Sequence, residues 1–357
     1  MKVSILGKGL TSLTLAKSLI NHGIYVDIFF KPESLNKNKM RTLAISEGNI
    51  EFFNKNILNI EKLLWNINRI EIFSENLKNE KILNFKNNGK NLFSIIKNQD
   101  LSNFLLKELK SSKLVKFKKS FPKDNILISK YNLVFNCDIR NKISQKYFYK
   151  RIIKDYKSFA HTTIIEHKNI SDNNSASQIF TKNGPLAFLP ISEKKTSIVY
   201  SARGKKNINF KNLIEKYNFK YTIKKINDIH SFELKSSNLR SYYYKNVLAF
   251  GDLLHKLHPL AGQGFNMSIR DISQILKFIK FRINHGLDLD SSICSDFEKE
   301  VKHKNYLFSS GIDFIYEFFN LESRTNNNFL SKSVQLIGKY KFTNKIFTKL
   351  ADNGISI

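Results

Sequence analysis

A carboxylate and a glycine-rich stretch stand close together in the last third of the chain. Residues 247–250 are all apolar and are followed by Gly251 and Asp252, as in a buried strand that delivers a carboxylate at its carboxyl end. There Asp252 can accept a hydrogen bond from a ribose or polyol hydroxyl. Gly262, Gln263 and Gly264 follow, and we interpret them as a turn before a helix. Free backbone N–H groups at a helix start attract an electron-rich oxygen or a phosphate.

A second glycine pattern opens the chain. Residues 2–6 are typical of a strand, and Gly7, Gly9 and Ser12 fall in the turn after it. An apolar helical stripe and a further strand at residues 25–30 complete the unit. This spacing is typical of a dinucleotide-binding βαβ unit, in which the glycines let the backbone approach a pyrophosphate where the helix begins.

The block GD, HPLAGQGFN and RD between residues 251 and 271 resembles the second flavin-binding motif of the FAD-dependent aromatic hydroxylases, which are para-hydroxybenzoate hydroxylase-like. The closest resemblance is to their ubiquinone-biosynthesis branch. It implies that Asp252 holds the ribityl chain and that Pro259, Gly262 and Gln263 lie near the flavin ring. The alternative is an ordinary strand–turn–helix whose glycines serve only its geometry. The cofactor-binding residues implied are Gly7, Gly9, Leu10, Thr11, Ser12, Glu33, Arg41, Gln99, Asp138, Gly251, Asp252, Pro259, Gly262, Gln263, Gly264, Phe265 and Asn266.

The chain departs from the family pattern at three positions. Where the relatives carry an acid for the adenosine ribose, this chain has Phe30 and Lys31, and Glu33 is the acid that could reach back. Gln99 takes the place of an arginine. Ile139 replaces the glycine after Asp138, and isoleucine copies a positive-φ turn only at a cost. Arg41 matches the family's arginine near the flavin, with a solvated surface arginine as the alternative.

The middle of the chain predicts an antiparallel meander, with strands near residues 162–166, 177–180, 186–190 and 197–200 separated by polar turns. By resemblance, one face of this sheet covers the flavin and holds a phenolic ring in an apolar pocket. Phe180, Leu186 and Phe188 are candidate lining residues of that pocket. For any one of them, a place in the buried core is the favoured alternative.

Strands alternating with helices, and glycine turns at strand ends, predict an α/β fold. We expect a doubly wound, Rossmann-like FAD-binding domain with an inserted antiparallel-sheet substrate domain and a helical C-terminal part. The expected FAD-binding domain comprises residues 1–67, 95–158 and 241–291. The substrate domain comprises residues 68–94 and 159–240, and residues 292–357 form the C-terminal helical segment.

The net charge of +29 comes from lysines spread over all 357 residues, so we expect no nucleic-acid binding. Peripheral contact with an anionic membrane surface is favoured over nucleic acid, because each basic residue close to such a surface contributes about 1 kcal/mol. Residues 329–350 place lysines four apart in an apolar stretch, which predicts a basic amphipathic helix that could rest on a membrane or a partner. An ordinary docking helix is the alternative there, and the better supported one. The sequence predicts a cytoplasmic location, because it has two cysteines, no run of eighteen apolar residues and no signal segment. A peripheral position at the inner face of the membrane is compatible with this location.

No nucleophilic triad or metal-spaced cluster stands out, and the pair His255 and His258 fits the flavin motif better than a zinc site. By resemblance, the reaction is hydroxylation of a polyprenylated phenol in ubiquinone biosynthesis, through a flavin hydroperoxide, with NAD(P)H as electron donor and no catalytic side chain assigned. Other ubiquinone-biosynthesis proteins are the expected partners. One alternative is a catalytically degenerate accessory subunit of that assembly, which Phe30, Ile139 and the pair Leu253 and Leu254, in place of the small pair usual after Asp252, would favour. A weaker alternative is an FAD-dependent prenyl reductase.

Overall fold

The computed structural model describes residues 1–32, 41–75, 80–86, 91–204, 207–257 and 263–325. Within them, the strands are β1 (Lys2–Leu6), β2 (Tyr25–Phe29), β3 (Thr42–Ser46), β4 (Trp65–Ile67), β5 (Arg69–Ser74), β6 (Glu80–Lys86), β7 (Phe93–Lys97), β8 (Val115–Lys118), β9 (Leu133–Asn136), β10 (Arg151–His167), β11 (Ser175–Thr181), β12 (Gly184–Pro190), β13 (Lys195–Arg203), β14 (Ile223–Ile226), β15 (His230–Leu239), β16 (Tyr243–Tyr244), β17 (Val247–Ala249) and β18 (His255–Lys256). The helices are α1 (Leu10–Ile20), α2 (Glu47–Asn56), α3 (Asn98–Lys110), α4 (Asp124–Lys130), α5 (Lys142–Tyr147), α6 (Phe210–Tyr217), α7 (Gln263–Asn284) and α8 (Ser292–Thr325).

A six-stranded sheet carries the first glycine motif, with strand order β16-β17-β9-β1-β2-β8. All its pairings are parallel except that of β16 with β17. Parallel strands need helical cover on both faces, which accounts for the near-continuous burial of β1, β9 and β17. Apolar residues of α1, α3 and α7 share the core of this sheet. The predicted doubly wound, Rossmann-like fold is confirmed.

A nine-stranded sheet forms the second layer, in the order β18-β15-β10-β13-β12-β11-β5-β6, with β14 paired to β10. Strands β11, β12 and β13 form the predicted meander, in which β11 pairs with β12, β12 with β13 and β13 with β10, each antiparallel. The pairing of β11 with β5 is parallel. Strand β10 is longer than predicted, at 17 residues, and a register shift after Asp155 coincides with a positive φ at Lys157. A small third sheet has the strand order β3-β7-β4. Its strands come from residues 42–97, which follow β2 and precede β8 in the chain.

The two C-terminal helices are long, with 22 residues in α7 and 34 in α8. Phe308 and Ile312 pack with Leu257 and Met267, whereas Tyr316 of the same helix packs against the nine-stranded sheet. Helix α8 therefore contacts both layers. No helix among the described residues is long and apolar enough to cross a membrane. The basic segment expected at residues 329–350 lies outside the described part of the chain.

Asp27, on β2, is buried and accepts hydrogen bonds from Tyr131 Oη at 2.5 Å and Lys118 Nζ at 2.8 Å, with Lys2 Nζ 3.1 Å away. Burial raises the pKa of this carboxyl, but the hydrogen bonds from these three groups outweigh that effect and leave the pKa below its usual value. The stabilisation is therefore present above the unfolded pKa of about 3.9 and is lost as the pH falls through the folded pKa.

We expect Asp27→Asn to lower the free energy of unfolding at neutral pH and to weaken its fall in acid, because the folded-state charge is gone. Urea unfolding at about pH 7 and about pH 3 checks this. Asp172→Asn, which alters an exposed acid on a turn, is the control. An acid dependence of Asp27→Asn equal to that of the unaltered protein would contradict the assignment.

Candidate functional site

A cavity of about 500 Å³ lies between the six-stranded sheet's glycine turns and one face of the nine-stranded sheet. Its lining is mostly apolar, with a few polar groups pointing inward, as in sites for cofactors and small molecules. Residues from near position 9 and from near position 263 both line it, although they are more than 250 positions apart. The structure therefore brings the two glycine-bearing motifs to one place.

The first wall is the start of α1, where Gly9, Leu10, Thr11 and Ser12 line the cavity. Gly9 is the N-cap of this helix, and no atom lies within 4 Å of where its Cβ would stand. The backbone N–H groups of the first helical turn have no partners within the helix, so they are available to an anion approaching over Gly9. Gly7 has a φ of +105° and does not line the cavity. Its role is to turn the chain between β1 and α1.

Gly251 is where the two motifs meet. Its φ is +61°, and a Cβ added there would lie 3.0 Å from Thr11 Cγ2. Glycine is needed for both reasons, since L residues are strained at this φ and any side chain would press on Thr11. Asp252 follows in a 3-10 turn, Gly251–Leu253, and is exposed on the cavity. The residues present thus fit an extended anionic ligand with hydroxyl groups, which could reach from α1 to Asp252.

One expectation at the second motif is wrong. Gln263 and Gly264 lie in the first turn of α7 and not in a turn before it. Both line the cavity, as do Phe265 and Asn266. A glycine is tolerated here because the first helical turn has few side-chain neighbours, and no atom lies within 4 Å of the Cβ position of Gly264. Pro259 and Gly262, together with His258, lie outside the described residues.

Asn266 is buried and its side-chain amide is fully engaged within the protein. Its Oδ1 accepts from the Ser46 backbone N–H and from Asn49 Nδ2, both at 3.0 Å, and its Nδ2 donates to the Ala44 carbonyl at 2.8 Å. These bonds tie α7 to the end of β3. The position of Asn266 on the cavity is therefore that of a residue which holds the walls together.

Asp271, the acid of the RD pair, belongs to α7 and is buried. It accepts hydrogen bonds from His255 Nε2 on one oxygen and from Asn305 Nδ2 on the other, the latter at 3.0 Å. Among the described residues no group of three acids, histidines or cysteines is arranged to hold a metal ion. His255 thus has a carboxylate partner that does not depend on a metal.

The other predicted cofactor-binding residues are distributed unevenly around the cavity. Arg41 lines it, with its guanidinium carbon 5.3 Å from the ring centre of Phe232. Gln99 is exposed and is not among the lining residues, whereas its neighbour Asn98 lines the cavity. The sequence analysis missed Asn98 because the resemblance to the family pointed to Gln99, one residue further. Glu33 lies outside the described residues.

The turn after β9 solves its geometry without the glycine of the family pattern. Asp138 Oδ1 accepts a hydrogen bond from the Arg140 backbone N–H at 2.9 Å, which closes a tight turn around Ile139. Ile139 is exposed and does not have a positive φ. Asp138 lies beside Gly7, with its Cβ 3.4 Å from the position of a Gly7 Cβ, and it does not line the cavity.

The end of β2, where relatives carry an acid, is occupied by a cation and two aromatic rings. Lys8 Nζ lies 4.6 Å from the ring centre of Phe30 and 5.7 Å from that of Phe117. Burial, with the nearby charge of Lys110, lowers the pKa of Lys8. Phe30 does not line the cavity, so this departure alters the surroundings of the site and leaves its walls in place.

The wall formed by the nine-stranded sheet differs from the one expected. Leu186 and Phe188 of β12 are buried on the opposite face of the sheet, with Phe210 and Ile214 of α6, because side chains alternate along a strand. Phe180 packs against Ile82 and is not among the lining residues. The three aromatic and aliphatic candidates are therefore core residues. The residues of β11, β12 and β13 that line this wall are mostly smaller: Ala176, Ser177, Gln178, Pro185, Ala187, Leu189, Ser197, Val199 and Ser201. The other strands of the sheet contribute larger lining residues, among them Ile70, Phe85, Phe232 and Leu234.

Two further groups complete the lining. Thr42 Oγ1 lies 2.9 Å from Ser197 Oγ, a hydrogen bond that joins β3 to the nine-stranded sheet across the cavity wall. Cys137 also lines the cavity, and burial raises the pKa of its thiol to about 12, with the charges of Asp252 and Asp138 acting in the same direction. The thiol is therefore protonated at neutral pH and is not a nucleophile.

Comparisons with known proteins agree with this geometry. Residues 206–286 match the model of a family described as an FAD binding domain. A stretch of 126 residues is 24% identical to the ubiquinone biosynthesis monooxygenase COQ6 of Schizosaccharomyces pombe and covers 35% of this chain and 26% of that protein. Another of 154 residues is 27% identical to the 3-demethoxyubiquinol 3-hydroxylase of Escherichia coli and covers 40% and 39%. The matches thus span well under half of these two relatives.

The solved structure of p-nitrophenol 4-monooxygenase PnpA from Pseudomonas putida superimposes with a TM-score of 0.79 at 12% identity, over 99% of this chain and 98% of the other. At this identity the likeness concerns the fold, and it extends through both layers and the C-terminal helices. Over residues 206–286 the chain is similar in sequence to the FAD binding domain family, and it has the fold of this p-nitrophenol 4-monooxygenase, in agreement with the resemblance seen in its motifs.

Proposed function

We propose that this chain binds FAD and hydroxylates the aromatic ring of a polyprenylated phenol in ubiquinone biosynthesis, with NAD(P)H as electron donor. The observation that carries the proposal is the convergence of Gly9–Ser12 and Asp252 with the start of α7 on one cavity. The names of the two curated relatives support the substrate class. Bound FAD would supply the redox chemistry, by which one atom of O₂ is transferred to the ring.

The protein's own residues would bind FAD, orient the substrate and keep water away from the reacting atoms. The N–H groups at the start of α1 would hold the pyrophosphate, and Asp252 would accept hydrogen bonds from the ribityl hydroxyls. The face of β12 and β13 that carries Ala187 and Val199 would lie opposite the flavin ring and leave room for an aromatic substrate between the two. The apolar residues of this face, Pro185, Ala187, Leu189 and Val199, would limit access of water to the reacting atoms, while Ser197 and Ser201 offer hydroxyl groups on the same wall.

The residues that motivated a degenerate accessory subunit do not fill the cavity. Leu253 and Leu254, which replace a small pair in the motif, are fully buried in the core of the six-stranded sheet. Ile139 is exposed on a turn, and Phe30 packs with Lys8 and Phe117. These placements favour the enzyme over the accessory subunit, because each substitution is accommodated away from the site.

The proposal is tested on freshly purified protein in three steps. Its absorbance spectrum reports bound flavin, consumption of NAD(P)H and O₂ with a prenylphenol reports turnover, and product mass reports the reaction. A gain of one oxygen is expected. Bound flavin without turnover would instead indicate the accessory subunit, and a gain of two hydrogens a prenyl reductase.

Ala187→Phe distinguishes the substrate side of the cavity from the cofactor side. Ala187 faces the cavity from β12, so a phenyl group there would occupy the space assigned to the substrate ring. We expect turnover to fall by at least about tenfold while the flavin spectrum stays. Loss of flavin with turnover would place the cofactor against β12 and overturn the assignment of that wall.

A cytoplasmic location, peripheral contact with an anionic membrane and association with other biosynthetic proteins stay predictions. The charge of +29 supports the membrane contact.

A further inference from the structure

A buried hydrogen-bonded chain of three side chains, His255–Asp271–Asn305, lies beneath the second motif. His255 belongs to β18, Asp271 to α7 and Asn305 to α8. His255 is 2% exposed and Asp271 is 1% exposed. We propose that His255 is a positioning residue: through Asp271 it fixes the two segments that form the second motif's side of the cavity. The inference rests on the proposed function only where it concerns FAD.

The placement of these residues in the chain is the first argument. Strand β18 ends at Lys256, and both Lys256 and Leu257 line the cavity. Helix α7 begins at Gln263, and its first residues line the cavity as well. The bond from His255 to Asp271 therefore joins the strand before residues 258–262 to the helix after them.

The second argument is that the ring of His255 depends on Asp271 alone among the described residues. Its Nδ1 is buried and has no hydrogen-bond partner in the part of the chain that the structure describes. Only Nε2 is engaged, so the carboxylate sets the orientation of the ring. A buried histidine whose second nitrogen lacks a partner bears a desolvation cost, which the bond to Asp271 offsets.

The third argument is that Asp271 is itself held from the far side. Asn305 Nδ2 donates to its second oxygen at 3.0 Å, and Asn238 Nδ2 of β15 donates to Ser309 Oγ one turn further along α8 at 2.9 Å. Asn238 is also the residue that pairs with His255 in the sheet. Strands β15 and β18 and helices α7 and α8 are thus linked by a closed series of contacts. A change at His255, Asp271 or Asn305 therefore weakens the contacts of the other two.

The test compares His255→Gln with His167→Gln. His167 is the control, since it is also 2% exposed and bonded through Nε2, to Thr196 Oγ1 at 3.0 Å, and through Nδ1 to the Lys168 carbonyl at 2.8 Å. It lies on β10, and these hydrogen bonds do not involve α7. We expect both variants to lower the melting temperature. Only His255→Gln should speed amide hydrogen exchange of residues 263–268, by about tenfold or more, measured without added FAD.

The second readout is the dissociation constant for FAD, from quenching of its fluorescence. His255→Gln should weaken binding by at least about tenfold, and His167→Gln should leave it within about twofold. If His255→Gln does not fold, Asn305→Ser, which removes the outer bond and leaves that of His255 to Asp271, should show both effects in the same direction and smaller. Equal behaviour of the histidine variants would overturn the inference. If the unaltered protein binds no FAD, the proposed function fails, and the exchange rates still decide whether His255 positions α7.

Discussion

Replacing Gly184 with alanine is expected to lower the free energy of unfolding by about 3 kcal/mol or more, because strain and overlap combine at this position. Gly184 begins β12 with a φ of +134°, and a Cβ there would lie 1.9 Å from the carbonyl oxygen of Ser201. That oxygen belongs to the backbone of β13, which is paired on both sides and cannot move away alone. Chemical denaturation of the variant measures the loss.

Gly204→Ala is the matched control. Gly204 has a φ of +62° and no atom within 4 Å of its Cβ position, so only the backbone strain of about 1–2 kcal/mol applies. A loss in Gly184→Ala no larger than in this control would mean that the overlap with Ser201 is relieved. Because Ser201 lines the cavity, any shift of β13 in the folded variant should also be felt at the site.

Replacing Asp252 with alanine is expected to weaken FAD binding strongly. A hydrogen bond to a charged group contributes about 1.5–3 kcal/mol, so its loss corresponds to a factor of about 10 to 150 in the dissociation constant. Asp252 is exposed on the cavity, at the end of the turn that Gly251 makes possible. The free energy of unfolding should change little, because surface substitutions rarely matter to it. Fluorescence quenching of FAD measures the affinity.

Asp172→Ala removes an equal charge from an exposed turn in the nine-stranded sheet and serves as the control for Asp252→Ala. Its affinity for FAD should equal that of the unaltered protein. If both variants bind FAD equally well, Asp252 does not contact the cofactor. The ribityl chain would then have to be held by another part of the cavity, such as Arg41 or Asn98.

The sequence predicts β1, β2 and β17 of the six-stranded sheet, because these strands are short and largely apolar and a glycine follows the apolar runs of β1 and β17. It gives no such signal for β8, which is half lysine, or for the two-residue β16. It predicts less of the nine-stranded sheet. The first eight residues of β10 and most of β15 are rich in charged and small polar side chains, so neither strand alternates clearly. Their pairing over a long antiparallel stretch is set by contacts across the sheet, which a local pattern does not contain.

At the site, irregular motifs carried the prediction and periodic ones did not. The cavity lining includes the predicted Gly9, Thr11 and Asp252 and the start of α7. These residues could be predicted because glycines and an acid at strand ends have few other uses. On β12 the bulky residues were the wrong candidates, since bulk marks the face that packs against α6. The small residues between them, which have no signal of their own, form the cavity wall.

The order of strands has a practical consequence for anyone who would dissect this protein. The six-stranded sheet takes its members from three separate stretches, which end at β2, β9 and β17, and the other sheet is threaded between them. No contiguous fragment contains one sheet without interrupting the other. The six-stranded sheet therefore cannot be expressed alone by truncation, and isolating it would require joining its three stretches with new linkers in place of the segments between them.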